Sequence, residues 1–228
     1  MRPQLLLRGI SRLLWLLSLP FIRFEFRGGA CINDHPAWIM AANHRSVYDF
    51  TLAVIGLEHF RWYARIMIAS EFWKMPVYGW AVSVIDAIPV YRKTDPVGSL
   101  SAAVDALKSG DSVCIMPEGT VHWDPDEPLS MGPVRTGVSR LAVASDVPVM
   151  PIALVGTERV WPKGRKVPSF SLRRRTVVCR LSDQPVWLTG DDHRGNARKV
   201  KEATEALIQQ ATDDLRAIDP TYMPQLDG

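Results

Sequence analysis

Long uninterrupted apolar runs are missing from this 228-residue sequence. The leucine-rich start, "MRPQLLLRGISRLLWLLSLPFIRFEF", carries Arg8 and Arg12 early and Pro20 and Arg23 late. The apolar part between them, Leu13 to Ile22, falls far short of the roughly 20 residues that a membrane span requires. No small-residue cleavage site follows it directly, so a secretory signal is not expected. An excess of one charge is also missing: the formal net charge is only +3, and bulk charge gives no reason to expect a nucleic-acid partner. Cysteine is scarce. Cys31, Cys114 and Cys179 lie far apart, with neither metal-ligand spacing nor a disulfide framework, and a reducing, cytoplasmic setting fits them best. Cys114 in "SVCIMP" reads as a core residue. There is no Gly-x-Ser-x-Gly nucleophile elbow, no His-x3-His pair, no internal repeat and no low-complexity linker.

What is present is enough for one sizeable domain with a buried core. Arg2, Arg8 and Arg12, set among Leu5, Leu6, Ile10, Leu13, Leu14, Leu16 and Leu17, predict an amphipathic basic helix, with Trp15 suited to the headgroup level of a membrane. The same pattern suits a helix packed on the protein's own core, and these residues leave both readings open. Basic residues gather again in "SLRRRTVVCR" and "NARKVK", either as a solvated face or as a face toward anionic lipid.

Along the chain, strand signals alternate with helix signals. "FIRFEFRG", "AWIMAAN", "FRWYARIMIA", "AIPVYR", "SVCIMP", "VPVMPIALVG" and "RRRTVVCRLS" read as strands. "FTLAVIGL", "PVGSLSAAVDALKSG", "TGVSRLAVASD" and the long "NARKVKEATEALIQQATDDLRAI" read as helices. "EFWKMPVYGWAVSVIDA" has turn signals at Pro76 and Gly79 with helical stretches around them, and a loop is expected from Glu118 to about Met131. Several strands are uniformly apolar, which predicts an α/β sandwich around a mostly parallel sheet. In such folds sites gather at the carboxyl ends of strands. "NHRSVYD", Arg92 and "PEGT" all fall there.

His44 and Asp49 are five residues apart, about 500° on a continuous helix, and so share no helical face. They meet only if the chain turns between them, with a strand ending at His44 and a helix starting near Ser46 or Val47. Asp49 then orients one imidazole nitrogen and leaves the other free as a base. The competing reading is a capping box, Ser46-x-x-Asp49, that merely starts a helix. "MPEGT" likewise reads either as a site, with Gly119 allowing close backbone approach, or as a surface turn.

Taken together and in order, these stretches resemble the PlsC-type glycerolipid acyltransferases. "NHRSVYD" resembles the family's Asn-His-x4-Asp motif, and "MPEGT" its Phe-Pro-Glu-Gly-Thr motif with Met116 in place of Phe. "EFWKMPVYGWAVSVIDAIPVYR" resembles the segment that ends in the family's substrate-binding arginine, here Arg92, and "VPVMPIALVG" the fourth block. The resemblance covers roughly residues 36–157 and is greatest to the bacterial lysophosphatidic acid (1-acyl-sn-glycerol-3-phosphate) acyltransferases. It implies a single-domain αβα sandwich over 23–228, with residues 1–22 as a membrane-associating segment.

It also implies His44 as base, Asp49 as its partner, and acyl transfer from acyl-CoA or acyl-carrier protein to a free lysolipid hydroxyl. No metal and no cofactor beyond that co-substrate is implied. Asn43, Arg92, Glu118, Gly119, Thr120 and Arg135 become the substrate-binding set, with Arg92 and Arg135 as phosphate contacts. The implied partners are a membrane surface, a lysophospholipid acceptor and an acyl thioester donor, and the implied location is the cytoplasmic face of the cell membrane, peripheral or monotopic.

Two departures bear on the acceptor. Val121 stands where many relatives have arginine, and Ser70 where many have lysine. Another lysolipid or glycolipid acceptor is therefore the alternative, ahead of a non-catalytic lipid-binding protein. A metal site assembled from His44, Asp49, Glu118 and His122 is the rival enzyme class, disfavoured because Pro117 and Gly119 break any helix there.

Overall fold

The computed structural model describes residues 3–92, 94–169, 171 and 173–222, with the backbone alone for residues 3, 4, 76–78 and 96. Arg2, expected on the basic face of the first helix, lies outside them. Two short apolar segments make the centre of the molecule: β2 (Ile39–Ala42) and β6 (Val149–Val155) are buried at every position. Strands of that kind need cover on both faces, and both faces are covered.

Seven strands form one sheet in the order β1 (Ile22–Gly28), β7 (Arg175–Leu181), β6, β2, β5 (Ser112–Ile115), β3 (Ala64–Ala69) and β4 (Ile88–Val90). Every neighbouring pair is parallel except β6 with β7. Alternate side chains go to opposite cores. Met40, Ala42, Ile152 and Leu154 join α1 (Pro3–Ser18), α2 (Asp49–His59) and α3 (Pro76–Val84) on one face. Ile39, Ala41 and Val149 meet α4 (Pro96–Lys108), α5 (Gly137–Ser145) and the first turns of α6 (His193–Ile218) on the other, where Ala153 and Val155 pack under the rest of α6. The fold is the α/β sandwich with a mostly parallel sheet that the alternating pattern predicts.

Adjacent strands β2 and β5 send the chain in opposite directions. From β2 it passes through α2 on one face to β3, and from β5 through α5 on the other face to β6. Such a divergence opens a crevice at the carboxyl ends of the two strands.

Two sequence expectations change. Gly79 is no turn: it lies inside α3, where a Cβ would stand 2.5 Å from the Trp73 carbonyl oxygen. The glycine is there because the preceding 3-10 turn, Ser70–Lys74, packs its backbone onto the helix. α1, left open between core and membrane, has both faces. Leu7 and Ser11 are buried with Ile10 and Leu14 packed beside the core, whereas Leu5, Leu13, Trp15, Leu16 and Leu17 are exposed. No helix among the described residues is long and apolar enough to cross a membrane.

Candidate active site

The chain leaves β2 at Ala42 and turns before α2 begins at Asp49. The turn is held by hydrogen bonds within "NHRSVYD". Ser46 Oγ accepts from the Tyr48 amide at 2.9 Å, and Asp49 Oδ2 accepts from the amides of Arg45 and Ser46 at 2.6 and 2.7 Å. Only half of the capping box read from the sequence forms: Asp49 reaches back to the Ser46 amide, while Tyr48 is the residue that precedes the helix and Ser46 Oγ turns to its amide instead. The same oxygen also meets His44 Nδ1 at 2.9 Å, and Asp49 Oδ1 accepts from Thr157 Oγ1 at 2.5 Å. The capping geometry and the His44–Asp49 contact thus hold together.

Asp49 is wholly buried and is the target of three other donors, so it accepts from His44 as well. Nδ1 then carries the proton, and Nε2 keeps its lone pair. The His44 side chain remains 21% exposed, which leaves that nitrogen accessible from the crevice.

"MPEGT" follows β5 as a tight turn in which the Gly119 amide donates to the Met116 carbonyl at 2.9 Å. Glu118 turns inward. Its two oxygens accept from the amides of His44 at 2.6 Å and Gly132 at 2.9 Å. Burial pushes its pKa up to about 7, against the pull of those two amides and of His44. Glu118 thus ties the His44 backbone to the loop after β5. Gly119 has φ +72°, and a Cβ there would stand 3.0 Å from Arg135 Nε. The Arg135 side chain is exposed and folds across this glycine, while its amide donates to the Pro117 carbonyl at 2.9 Å. Thr120 is exposed beside them.

Asn43 lies deeper than an expected ligand contact. It is wholly buried, its Nδ2 donates to the Leu154 carbonyl at 3.0 Å, and its Oδ1 accepts from the Leu154 amide at 2.7 Å. It stitches the end of β2 to β6. Arg92 is exposed beyond the carboxyl end of β4. It shares the sheet edge that carries His44 but stands three strands from β2, roughly 14 Å at the usual strand spacing. His44, Asp49, Glu118, Gly119 and Arg135 are brought together; Arg92 approaches from the rim.

Sequence reading missed two residues at this site, Thr157 and Arg45. Thr157, next after the fourth block, is wholly buried against Asp49. Arg45 is 2% exposed, with its guanidinium carbon 4.9 Å from the centre of the Trp123 ring and its Nη2 donating to the Pro128 carbonyl at 2.5 Å. Trp123 sits in the loop expected from Glu118 to about Met131. The sole signal for Arg45 was its place beside His44. The His122 amide donates to the His44 carbonyl at 2.7 Å, and its ring packs on Gly132. Among the described residues no group of His, Cys, Asp and Glu is arranged to hold a metal.

The sequence pattern of the family described as acyltransferase matches residues 23–155, more than half of the chain. The chain belongs to the acyltransferase family. Every strand-end residue of the crevice up to Val155 falls inside the matched span, and Thr157 falls just outside it. Among curated relatives of this chain, a chloroplastic 1-acyl-sn-glycerol-3-phosphate acyltransferase of Brassica napus is 30% identical over 151 residues, 64% of this chain and 41% of that protein. A 1-acyl-sn-glycerol-3-phosphate acyltransferase of Pseudomonas aeruginosa is 31% identical over 146 residues, 62% of this chain and 52% of that protein. The chain spans about two fifths to half the length of the curated relatives it matches. The crystal structure of the 1-acyl-sn-glycerophosphate (LPA) acyltransferase PlsC of Thermotoga maritima superposes with a TM-score of 0.72, covering 90% of this chain and 78% of that one at 21% identity. That likeness is one of fold.

Proposed function

We propose that the chain moves a fatty acyl group from an acyl thioester, acyl-CoA or acyl-carrier protein, to the free hydroxyl of 1-acyl-sn-glycerol-3-phosphate, giving phosphatidic acid. The observation that carries this reading is the His44–Asp49 contact, in a crevice whose Asp49 is fixed by four hydrogen bonds. His44 Nε2 takes the hydroxyl proton as the acceptor oxygen attacks the thioester carbonyl. Asp49 holds the ring and stabilises the imidazolium. When the carbon–sulfur bond breaks, the departing thiolate takes that proton from Nε2, so the enzyme returns to its starting state with no acyl-enzyme. Arg135, lying over Gly119, and Arg92 at the rim are the cations suited to the acceptor phosphate. Glu118 serves by fixing the His44 backbone, and Asn43 by fixing the strand end.

The relatives' names favour the lysophosphatidic acid acceptor. Val121 in place of arginine and the Trp123 loop leave another lysolipid or glycolipid acceptor as the second reading. Residues 1–22 act as a membrane-associating segment on the domain of residues 23–228, at the cytoplasmic face of the membrane. The bare leucine and tryptophan face of α1 supports that placement.

The test is His44→Ala, assayed with several acyl-CoAs against 1-acyl-sn-glycerol-3-phosphate and other lysolipids. Transfer falls by roughly 10³-fold, within the range for loss of a general base. Transfer near the wild-type rate would refute the base assignment, and turnover confined to a different lysolipid would move the acceptor to the second reading.

A further inference from the structure

Asp49 rests on a short platform made by the residues that follow β6. Thr157, wholly buried, donates to Asp49 Oδ1 at 2.5 Å. At the other end of the platform the Trp161 carbonyl accepts from Ser46 Oγ at 2.7 Å and from the Val47 amide at 3.1 Å. The segment from Gly156 to Trp161, with its 3-10 turn Thr157–Arg159, therefore grips both Asp49 and the turn that delivers it.

The platform is in turn held from the far end of the chain. Glu158 is 2% exposed, and each of its oxygens has a donor. Oε2 accepts from the Gly156 amide at 3.1 Å, and Oε1 accepts from the Tyr222 hydroxyl at 2.6 Å. Tyr222 lies just beyond α6 and is itself 1% exposed. The Arg159 guanidinium carbon sits 4.6 Å from the centre of the Tyr222 ring, and Arg159 also pairs with Asp219 at 3.4 Å. The Tyr222 amide donates to the Asp219 carbonyl at 3.0 Å, which closes the turn. Glu158 and Arg159 are thus both engaged by the turn after α6, and Thr157, the residue between them and Gly156, is the one that holds Asp49.

A buried carboxylate keeps its place only while its donors do, since an unpaired one costs several kcal/mol in an apolar setting. Freeing Tyr222 removes one of the two donors on Glu158 and loosens one end of the 3-10 turn. Any shift of that turn is passed to Asp49 through Thr157 Oγ1.

We infer that Tyr222 is a positioning residue for the His44–Asp49 pair: its hydroxyl latches Glu158, and through the Thr157 platform it sets where Asp49 holds the imidazole. The latch rests on the reading of His44 as the base. It spans three separate parts of the chain, and no part of the motif pattern encodes it.

The test uses the full chain with Tyr222→Phe, Thr157→Val and the double variant, in two measurements. One is the titration of the His44 ring followed by NMR, which needs no substrate. The other is kcat and KM for acyl transfer. Tyr222→Phe lowers kcat roughly tenfold with KM little changed, less than the roughly 10²-fold that a 1 Å misplacement costs. It moves the His44 midpoint by about 0.3 unit or more, in the direction that Thr157→Val moves it. The double variant is no worse than Thr157→Val alone, as coupled sites require.

Wild-type titration and kcat in Tyr222→Phe, with only the melting temperature lowered, would overturn the latch. So would losses that multiply in the double variant. If Tyr222→Phe does not fold, Asp219→Asn loosens the same turn and is judged by the same two outcomes. If the wild type shows no acyl transfer, the proposed function fails, and the titration alone decides the latch.

Discussion

At Glu118, burial and hydrogen bonding pull in opposite directions, and burial prevails. Its pKa rises from the usual 4.5 to about 7. Between those values the folded chain keeps a proton that the unfolded chain has released, so stability falls as pH climbs through the window. At about 1.4 kcal/mol per unit the full effect is somewhat above 3 kcal/mol, most of it falling between pH 5 and pH 8. Urea denaturation at pH 5 and pH 8 should therefore show a loss in the wild type that is on the order of 2–3 kcal/mol larger than in Glu118→Gln, which cannot titrate. Equal losses would mean that Glu118 ionises normally in the fold. The reach of sequence reading also divides at this scale. His44 and Asp49 could be paired on paper because five residues of turn bring them together. The inward aim of Glu118, and the Leu154 backbone as the partner of Asn43, could not be read, because both partners are supplied by strands and loops distant in sequence.

Among the elements, two helical glycines give opposite expectations. Gly56 lies in α2 where it faces the sheet, beside a narrow apolar cavity lined by Ile32, Met40 and Leu154. A Cβ there meets Cys179 Sγ at 3.4 Å and Phe26 Cε1 at 3.7 Å, ordinary contacts. Gly56→Ala should raise stability by about 1 kcal/mol and Tm by roughly 2–4 °C, measured by thermal unfolding. A fall in Tm would show that the helix cannot admit the methyl. At Gly79 the Trp73 carbonyl forbids the same change. From the sequence Gly79 reads as a turn and Gly56 as one more helix residue, since what distinguishes them is the neighbouring backbone.

α1 carries a prediction of its own. Leu16 and Leu17 are 57% and 64% exposed, so charges there leave the core intact. Leu16→Glu with Leu17→Glu should keep wild-type melting and lose most binding to anionic phospholipid vesicles in a sedimentation assay. Undiminished sedimentation would assign the bare face another role. Deleting the helix is the poorer experiment, because Leu7 and Ser11 belong to the core and Ser18 Oγ accepts from the Tyr48 hydroxyl at 2.6 Å.

For the molecule as a whole, alternating strands and helices predict the sandwich, and the apolar strands predict a sheet covered on both faces. The strand order is another matter. The first strand, β1, ends beside β7 at one edge, and the sole antiparallel pair, β6 with β7, lies within the sheet. Local pattern records how a segment is covered, not which neighbour it takes. The crevice was legible because its motifs sit at strand ends. The platform beneath it was not, because Tyr222 reaches Glu158 from 64 residues further along the chain. That separation has a consequence for the making of the protein. Translation delivers His44 and Asp49 roughly 180 residues before Tyr222, which at ordinary elongation rates is on the order of 10–40 s. The strand–turn–helix bearing His44 and Asp49 is therefore made well before Thr157, its buried hydrogen-bond partner, and before Tyr222. On the proposed latch, Asp49 gains its last hold only when the turn after α6 has been made, so the pair is set in place late rather than as its own motif emerges.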